Sequence, residues 1–320
     1  MATTSVTGLV LKRLASGLVT LFLVTLMVFG GTELLPGDVA EAILGQQATA
    51  ETVAALREKL DLNRPAPVRY FEWLSNFLQG DLGRSLANDR EISELIDGRL
   101  QNTLFLASTA AIIAIPLSVL LGVLAALYEG RAADKGITAS TLIFVSMPDF
   151  LIGYLLLLTG AVTLGWFPVL SRLSDSMTLL EQLHAIAMPC LTLALVVSAH
   201  TMRLTLSAIL AIMNQPFIEM AELKGANRAR TIVRHALPNA LSPILNIVIL
   251  TLAYLVVGVV IVEVVFNFSG MGRLMVDAVS KRDMPLVQAC GLIFASVYVL
   301  LNLSADILSL LSNPRRRRPK

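Results

Sequence analysis

At 320 residues, with 55% hydrophobic and only 15% charged residues and a mean hydropathy of +0.73, the chain is too apolar for a soluble domain and reads as an all-α, polytopic membrane protein. An aromatic content of 6% argues against a stacking surface for nucleic acid, and the net charge is only +2 but unevenly distributed. Cys190 and Cys290 lie in apolar runs and His184, His200 and His235 are dispersed, so neither a disulfide nor a metal site is expected.

A membrane span needs about 20 apolar residues. Six runs meet that length, at about 9–31, 103–127, 137–166, 185–213, 241–266 and 285–311. The first follows Lys12-Arg13, but its apolar run is too long for a signal peptide and no small-residue cleavage site directly follows it. Between the first and second spans lies a segment, 32–102, with helical pieces expected over 51–60 and 68–77, split by Asn63-Arg64-Pro65. It is too small to hold a core of its own and is expected to pack on the outer ends of the spans. Pro116 in span two and Pro148 in span three should each kink their helix. Asp149 follows Pro148 near the middle of an overlong apolar run. A charge there costs about 3 kcal/mol on insertion scales, so it should face protein or water. Two readings stay open: Asp149 lines a translocation path, or span three breaks at Ser146-Met147-Pro148 and Asp149 caps the resumed helix. Glu263 and Asp306 sit nearer span ends, toward the rim and the inner surface.

Lysine and arginine set the orientation. With both termini in the cytoplasm, the inner segments carry 14 basic residues, among them Lys12, Arg13, Arg131, Lys135, Arg203, Lys224, Arg228, Arg230, Arg234 and the tail Arg315 to Arg318. The segment 32–102 holds 12 acidic and 7 basic residues and goes outside. The expected organisation is 1–102 as first span plus outer segment, 103–314 as a five-helix core, and 315–320 as a basic tail near anionic lipid headgroups.

The inner connection at 214–240 is far longer than a linker requires. Glu219, Met220 and Ala221 open a short helix to about Lys224, and Gly225 stops it, since glycine enters the left-handed region without steric cost. Asn227 can cap a second helix running to about Ala236, on which Arg230 and Arg234 share a face while Ile232, Val233 and Leu237 supply apolar surface. Leu237-Pro238 is expected to end it. Two short helices at an angle suit a docking element. The plainer reading is an amphipathic helix lying on anionic lipid, which requires no fixed spacing between Gly225 and Leu237-Pro238.

That spacing resembles the EAA loop of permease subunits of ABC-type importers: Glu-Ala-Ala, three residues, Gly, nine residues, Ile, any residue, Leu-Pro. Glu219-Met220-Ala221, Gly225, His235, Leu237 and Pro238 keep it throughout, with Met220 in place of the first Ala and His235 in place of Ile. The resemblance implies a type I importer fold with six transmembrane helices in a bacterial inner membrane. It also implies that these seven residues couple the chain to a cytoplasmic ATPase.

Further motifs are similar to the dipeptide/oligopeptide/nickel branch, first-permease type. These are Leu35-Pro36-Gly37-Asp38, Gly80-Asp81-Leu82-Gly83-Arg84-Ser85, Val262-Glu263-Val264-Val265-Phe266, Gly270-Met271-Gly272-Arg273-Leu274, Arg282-Asp283, and Asn302, Asp306 and Asn313-Pro314-Arg315. Ser269 and Asn313 depart from the residues usual in the family. The resemblance implies a second homologous permease, two ATPase subunits that bind ATP and magnesium, an extracytoplasmic binding protein, and a cargo of dipeptides or oligopeptides, or of nickel chelates or glutathione. The glycines at 80, 83, 270 and 272 are read as turns with φ > 0.

No GxxxxGK[ST] loop, GxSxG elbow or HExxH is present, so the chain itself is expected to carry no catalytic residue and no cofactor. Two rivals of other classes are an intramembrane aspartyl protease using Asp149 and Asp306, and an ion-driven secondary transporter. The latter would carry coupling sites on broken helices in paired repeats, and no repeat is evident.

Overall fold

In a bilayer every backbone polar group must be satisfied internally, so the apolar runs can only be helical. The structure, a computed structural model, describes residues 6–34, 39–44, 46, 48–59, 62–174 and 176–312. The motif 35–38 and the tail 313–320 lie outside the described residues. Among those described there is no strand, only an isolated bridge between Arg84 and Glu91.

The helices are α1 (Val6–Glu33), α2 (Val39–Leu44), α3 (Ala50–Lys59), α4 (Ala66–Leu78), α5 (Ile92–Ile96), α6 (Arg99–Leu127), α7 (Ala132–Ser146), α8 (Asp149–Leu156), α9 (Leu179–Ala185), α10 (Ala187–Met213), α11 (Pro216–Leu223), α12 (Arg228–Thr231), α13 (Leu237–Val265), α14 (Met271–Ser280) and α15 (Met284–Ser312). Among the described residues five are long and apolar enough to cross a membrane: α1, α6, α10, α13 with its lead-in from Arg228, and α15. The pair α7 and α8 makes a sixth as a broken span.

Of the two readings left open for the third span, the break at Ser146-Met147-Pro148 is the one found. Met147 takes an extended conformation, Pro148 cannot donate, and α8 restarts at Asp149 with the two axes bent by 103°. Asp149 does not cap α8; the N-cap is Pro148, without a side-chain bond. At Pro116 the outcome is different, since α6 runs through it as one helix of 29 residues.

The chain forms two compact units. One contains everything from Leu104 to Phe268, the Arg13-bearing end of α1 and the last part of α15. In it α6 and α10 approach until a Cβ on Gly122 would stand 2.8 Å from the Thr205 methyl. Gly153 likewise lets α8 come against Val265 and Phe266, and Gly160 meets Met188. Small residues at such places let helix backbones close where lipid supplies no hydrophobic drive between helices. Thr201 and Thr251 hydroxyls bond across α10 and α13 at 2.8 Å, and Ser198 donates to the Ala114 carbonyl at 3.2 Å. Arg13 pairs with Asp306 at 2.9 Å.

The other unit holds 18–103 and 269–299. Its core joins Ile92 and Ile96 of α5 to Met271, Leu274 and Ala278 of α14 and Leu286 and Ala289 of α15. Phe29 stacks edge-on against Tyr70, whose hydroxyl meets Thr25 at 2.7 Å. Gln288 donates to Thr32 at 2.6 Å, and Arg69 pairs with Glu33. Here one sequence reading is corrected. Gly80 and Gly83 do take positive φ, of 86° and 76°, but Gly270 is extended and Gly272 lies inside α14. Between α13 and α15 the residues with positive φ are Asn267 and Arg282 instead. What looked like a glycine turn is an amphipathic helix, legible in the spacing of Met271, Leu274, Met275 and Ala278.

Candidate functional site

The connection 214–240 lies wholly within the first unit. Pro216 opens α11 in the first-turn position where its missing N–H is no loss. Gly225 closes it with φ +85°, and two bonds complete the cap: Gly225 N–H to the Glu222 carbonyl at 2.8 Å and Ala226 N–H to the Ala221 carbonyl at 3.1 Å. Asn227 then caps α12, its side chain accepting from the Arg230 amide at 2.9 Å.

Beyond that point the structure corrects the sequence. Leu237-Pro238 does not end a helix. The chain runs from α12 through a π-helical turn, Ile232–Ala236, directly into α13. The wider turn absorbs the clash and the missing donor that Pro238 would impose on a regular helix. The second helical piece of the 214–240 connection is thus continuous with the fifth span.

Ile218 of α11 and Ile232, Ala236, Ala240 and Ile244 bury against Ala126 of α6 and Ile209 of α10, with Leu237 packed on the edge. Arg228 fixes the same junction. Its Nε and one terminal nitrogen donate to the Ala126 carbonyl at 3.1 and 2.9 Å, and the guanidinium also pairs with Glu129. The sequence showed Arg228 only as one of the inner basic residues; its reach across to the end of α6 has no local signal.

The predicted site residues fall around this junction as follows. Glu219 and Met220 are exposed, Ala221 is half-buried, and Gly225 is exposed. His235 and Leu237 are half-buried and Pro238 is exposed. Two further side chains join Met220 in facing outward, Phe217 and Leu223, the latter 76% exposed. Phe217, Met220 and Leu223 recur at three-residue spacing, so α11 presents an apolar strip flanked by Glu219 and Glu222 while Ile218 anchors its back. The three-residue spacing of Phe217, Met220 and Leu223 is the sequence signal for that strip. Of the expected apolar trio, Ile232 is buried and Val233 faces out.

Pro148 and Asp149 belong to the same unit but not to this junction. The Tyr254 hydroxyl donates to Asp149 at 3.2 Å. Asp149 and Asp306 thus bond to different partners, Tyr254 and Arg13, and make no carboxylate dyad of the kind the protease reading requires. Glu263, expected toward the rim, is fully buried.

In the second unit the structure joins two motifs that the sequence showed apart. Asp283 is buried and accepts from the Ser85 hydroxyl and, at 3.0 Å, from the Leu86 amide. Asn102 donates to the Ser269 carbonyl at 2.9 Å, and Thr103 accepts from the Met271 amide at 2.8 Å.

The binding-protein-dependent transport system inner membrane component family matches residues 118–318, and the N-terminal family of the same membrane component matches 6–107. A protein of Sinorhizobium fredii named "Probable peptide ABC transporter permease protein" is 35% identical over 96% of this chain and 98% of its own length. The glutathione transport system permease protein GsiC of Salmonella typhi is 35% identical with the same coverage. The solved structure of the MetNI methionine ABC transporter, in inward-facing conformations, aligns with TM-score 0.55 at 17% identity over 69% of this chain and 97% of that chain. An amino acid ABC transporter aligns with TM-score 0.52 at 19% identity, over 71% and 95%. These two show the helical permease fold. The chain belongs to the inner membrane component family of binding-protein-dependent transport systems and is a multi-pass ABC importer permease.

Proposed function

We propose that this permease is one of two homologous membrane subunits of an importer for dipeptides or oligopeptides, driven by two cytoplasmic ATPase subunits and fed by an extracytoplasmic binding protein. Both termini and the 214–240 connection face the cytoplasm; the basic excess of the inner segments supports this. ATP and magnesium are bound by the partners; this chain contributes motion. The carrying observation is the build of α11. It shows an apolar strip, Phe217, Met220 and Leu223, outward beside Glu219, while Ile218 packs its back on α6 and α13 and a glycine cap joins it to α12, which Arg228 ties to α6. An apolar strip edged by acid fits a groove on another protein better than an anionic bilayer, which would repel Glu219 and Glu222. Closure of the ATPase pair pushes α11, the push enters α13 without a hinge at Pro238, and the two permease halves rock about the path.

Gly225→Val tests this. No atom lies within 4 Å of a Cβ there, so the substitution strains only the backbone at φ +85°. The protein should insert and pair normally while uptake falls by ~10-fold or more, because the left-handed residue costs roughly 1–3 kcal/mol and α11 re-aims to escape it. Unchanged uptake together with unchanged ATPase association in proteoliposomes would refute the coupling role. Glutathione is the second reading, favoured by the equal identity to GsiC. Competition between labelled dialanine and glutathione for the same reconstituted importer separates the two.

A further inference from the structure

Midway along the first unit lies a polar cluster that the coupling junction does not use. His200 is the central residue of α10, and Tyr254 lies 17 residues into α13, about 26 Å from its start at 1.5 Å per residue. Their rings stand 6.2 Å apart. Tyr254 is 43% exposed, His200 is exposed and Asp149 is half-buried. Among the described residues the Asp149 carboxylate accepts one hydrogen bond, from Tyr254, although two oxygens can take about four. Beside it His200, Thr201, Thr251 and Tyr254 open onto a cleft of about 210 Å³ between α10 and α13, walled by Leu204 and Leu250.

A carboxylate, an imidazole and a phenol at this depth cannot face hydrocarbon without a cost of several kcal/mol. Something polar must meet them. The cluster offers an anion, acceptor capacity left over on that anion, and an aromatic ring beside it. Those features select a cation with N–H donors, through an ion pair and a cation–π contact. We infer that Asp149, Tyr254 and His200 form a station on the translocation path that takes the ammonium group of the cargo. This rests on the importer reading above and gives it a chemical class: solutes with a primary amine. The rival occupant is a polar side chain of the second permease, using Asp149 as interhelical glue. The cleft favours cargo, since glue would need a flat contact and not a space of this size.

The test uses the assembled importer with Cys190 and Cys290 replaced by alanine and Leu250→Cys as reporter. Leu250 is exposed, lines the cleft, and stands one helical turn from Tyr254. The rates of modification by an ammonioethyl and a sulfonatoethyl methanethiosulfonate are compared. With Asp149 present, the cationic reagent should be favoured, and Asp149→Asn should cut the ratio of the two rates by ~10-fold. Dialanine should slow the cationic reaction. Equal ratios in the two proteins, or no reaction with either reagent, would overturn the station. Loss of the second permease on purification of Asp149→Asn would overturn it in favour of glue. A preserved ratio change without protection by dialanine would support the cation station and refute the peptide cargo.

Discussion

The junction around 214–240 and the Asp283 contact carry similar sequence signals and are built in opposite ways. Both were marked by an acidic residue near a turn and a short helix. At the junction Glu219 is exposed, and the residues beneath it are apolar: Ile218, Ile232 and Ala236. At the other place Asp283 is itself the buried element, receiving the Ser85 hydroxyl and the Leu86 amide, with Arg282 at φ +54° turning the chain into it. A carboxylate that presents itself is held by packing from behind. A carboxylate that joins two segments is held by its own hydrogen bonds. Motif letters alone do not separate the two, and burial does.

Substitution should separate them most sharply at these two acids. Asp283→Ala leaves a buried hydroxyl and a backbone amide without their acceptor, which costs about 1–3 kcal/mol for each. The segment around Ser85 should become protease-sensitive in detergent and the protein should unfold at markedly lower temperature. Glu219→Ala should leave both measurements unchanged and lower uptake. If Asp283→Ala left protease resistance intact, the contrast drawn here would fail.

How far the sequence reached can be judged from the same two places. Five of the spans, the Gly225 stop and the Asn227 cap follow from local physics, apolar length, left-handed backbone and a side-chain acceptor, and each is found where local rules put it. Ser85 and Asp283 are 198 residues apart, and nothing in either neighbourhood specifies the other. The Pro238 stop failed because a π-helical turn, unmarked by any residue type, lets a helix run through a proline. The break at Pro148 and the continuity at Pro116 show the same limit: one local signal gives two outcomes, decided by what packs around it. Glycine misled at Gly270 and Gly272 because its freedom was read as a turn, whereas a periodic apolar face beside it outweighed that reading.

Arg228 sharpens the comparison from the junction side, with a smaller expected effect. Its side chain is partly exposed, so the ion pair with Glu129 adds little. The two bonds to the Ala126 carbonyl occupy an acceptor at the last turn of α6, worth about 1–2 kcal/mol together. Arg228→Ala should therefore lower thermal stability slightly and uptake more, because the start of α12 loses its tie to α6 while Ile218 and α13 keep their own packing. Arg228→Lys should recover charge but not the forked contact, and so restore little. Recovery of full uptake by lysine would show that charge, not geometry, serves the junction.

The smallest effect lies at α9, where a third carboxylate works by capping. The Thr178 amide donates to Glu181 at 2.7 Å, the Thr178 hydroxyl lies 2.9 Å from the same oxygen, and the Glu181 amide reaches back to that hydroxyl at 3.4 Å. The backbone bond from Thr178, then its side chain, holds the Glu181 carboxyl below its ordinary value of 4.5, with slight opposition from desolvation. The folded state thus binds this proton more weakly than the unfolded state does. The cap contributes fully above the unfolded value and is lost as pH falls through the lower folded one. Amide exchange at Thr178, corrected for its intrinsic rate, should lose protection across that acidic window and stay flat above it. In Glu181→Gln the neutral amide still accepts, so the acid-dependent step should vanish while part of the protection remains. Persistence of the step in that variant would assign it to another group.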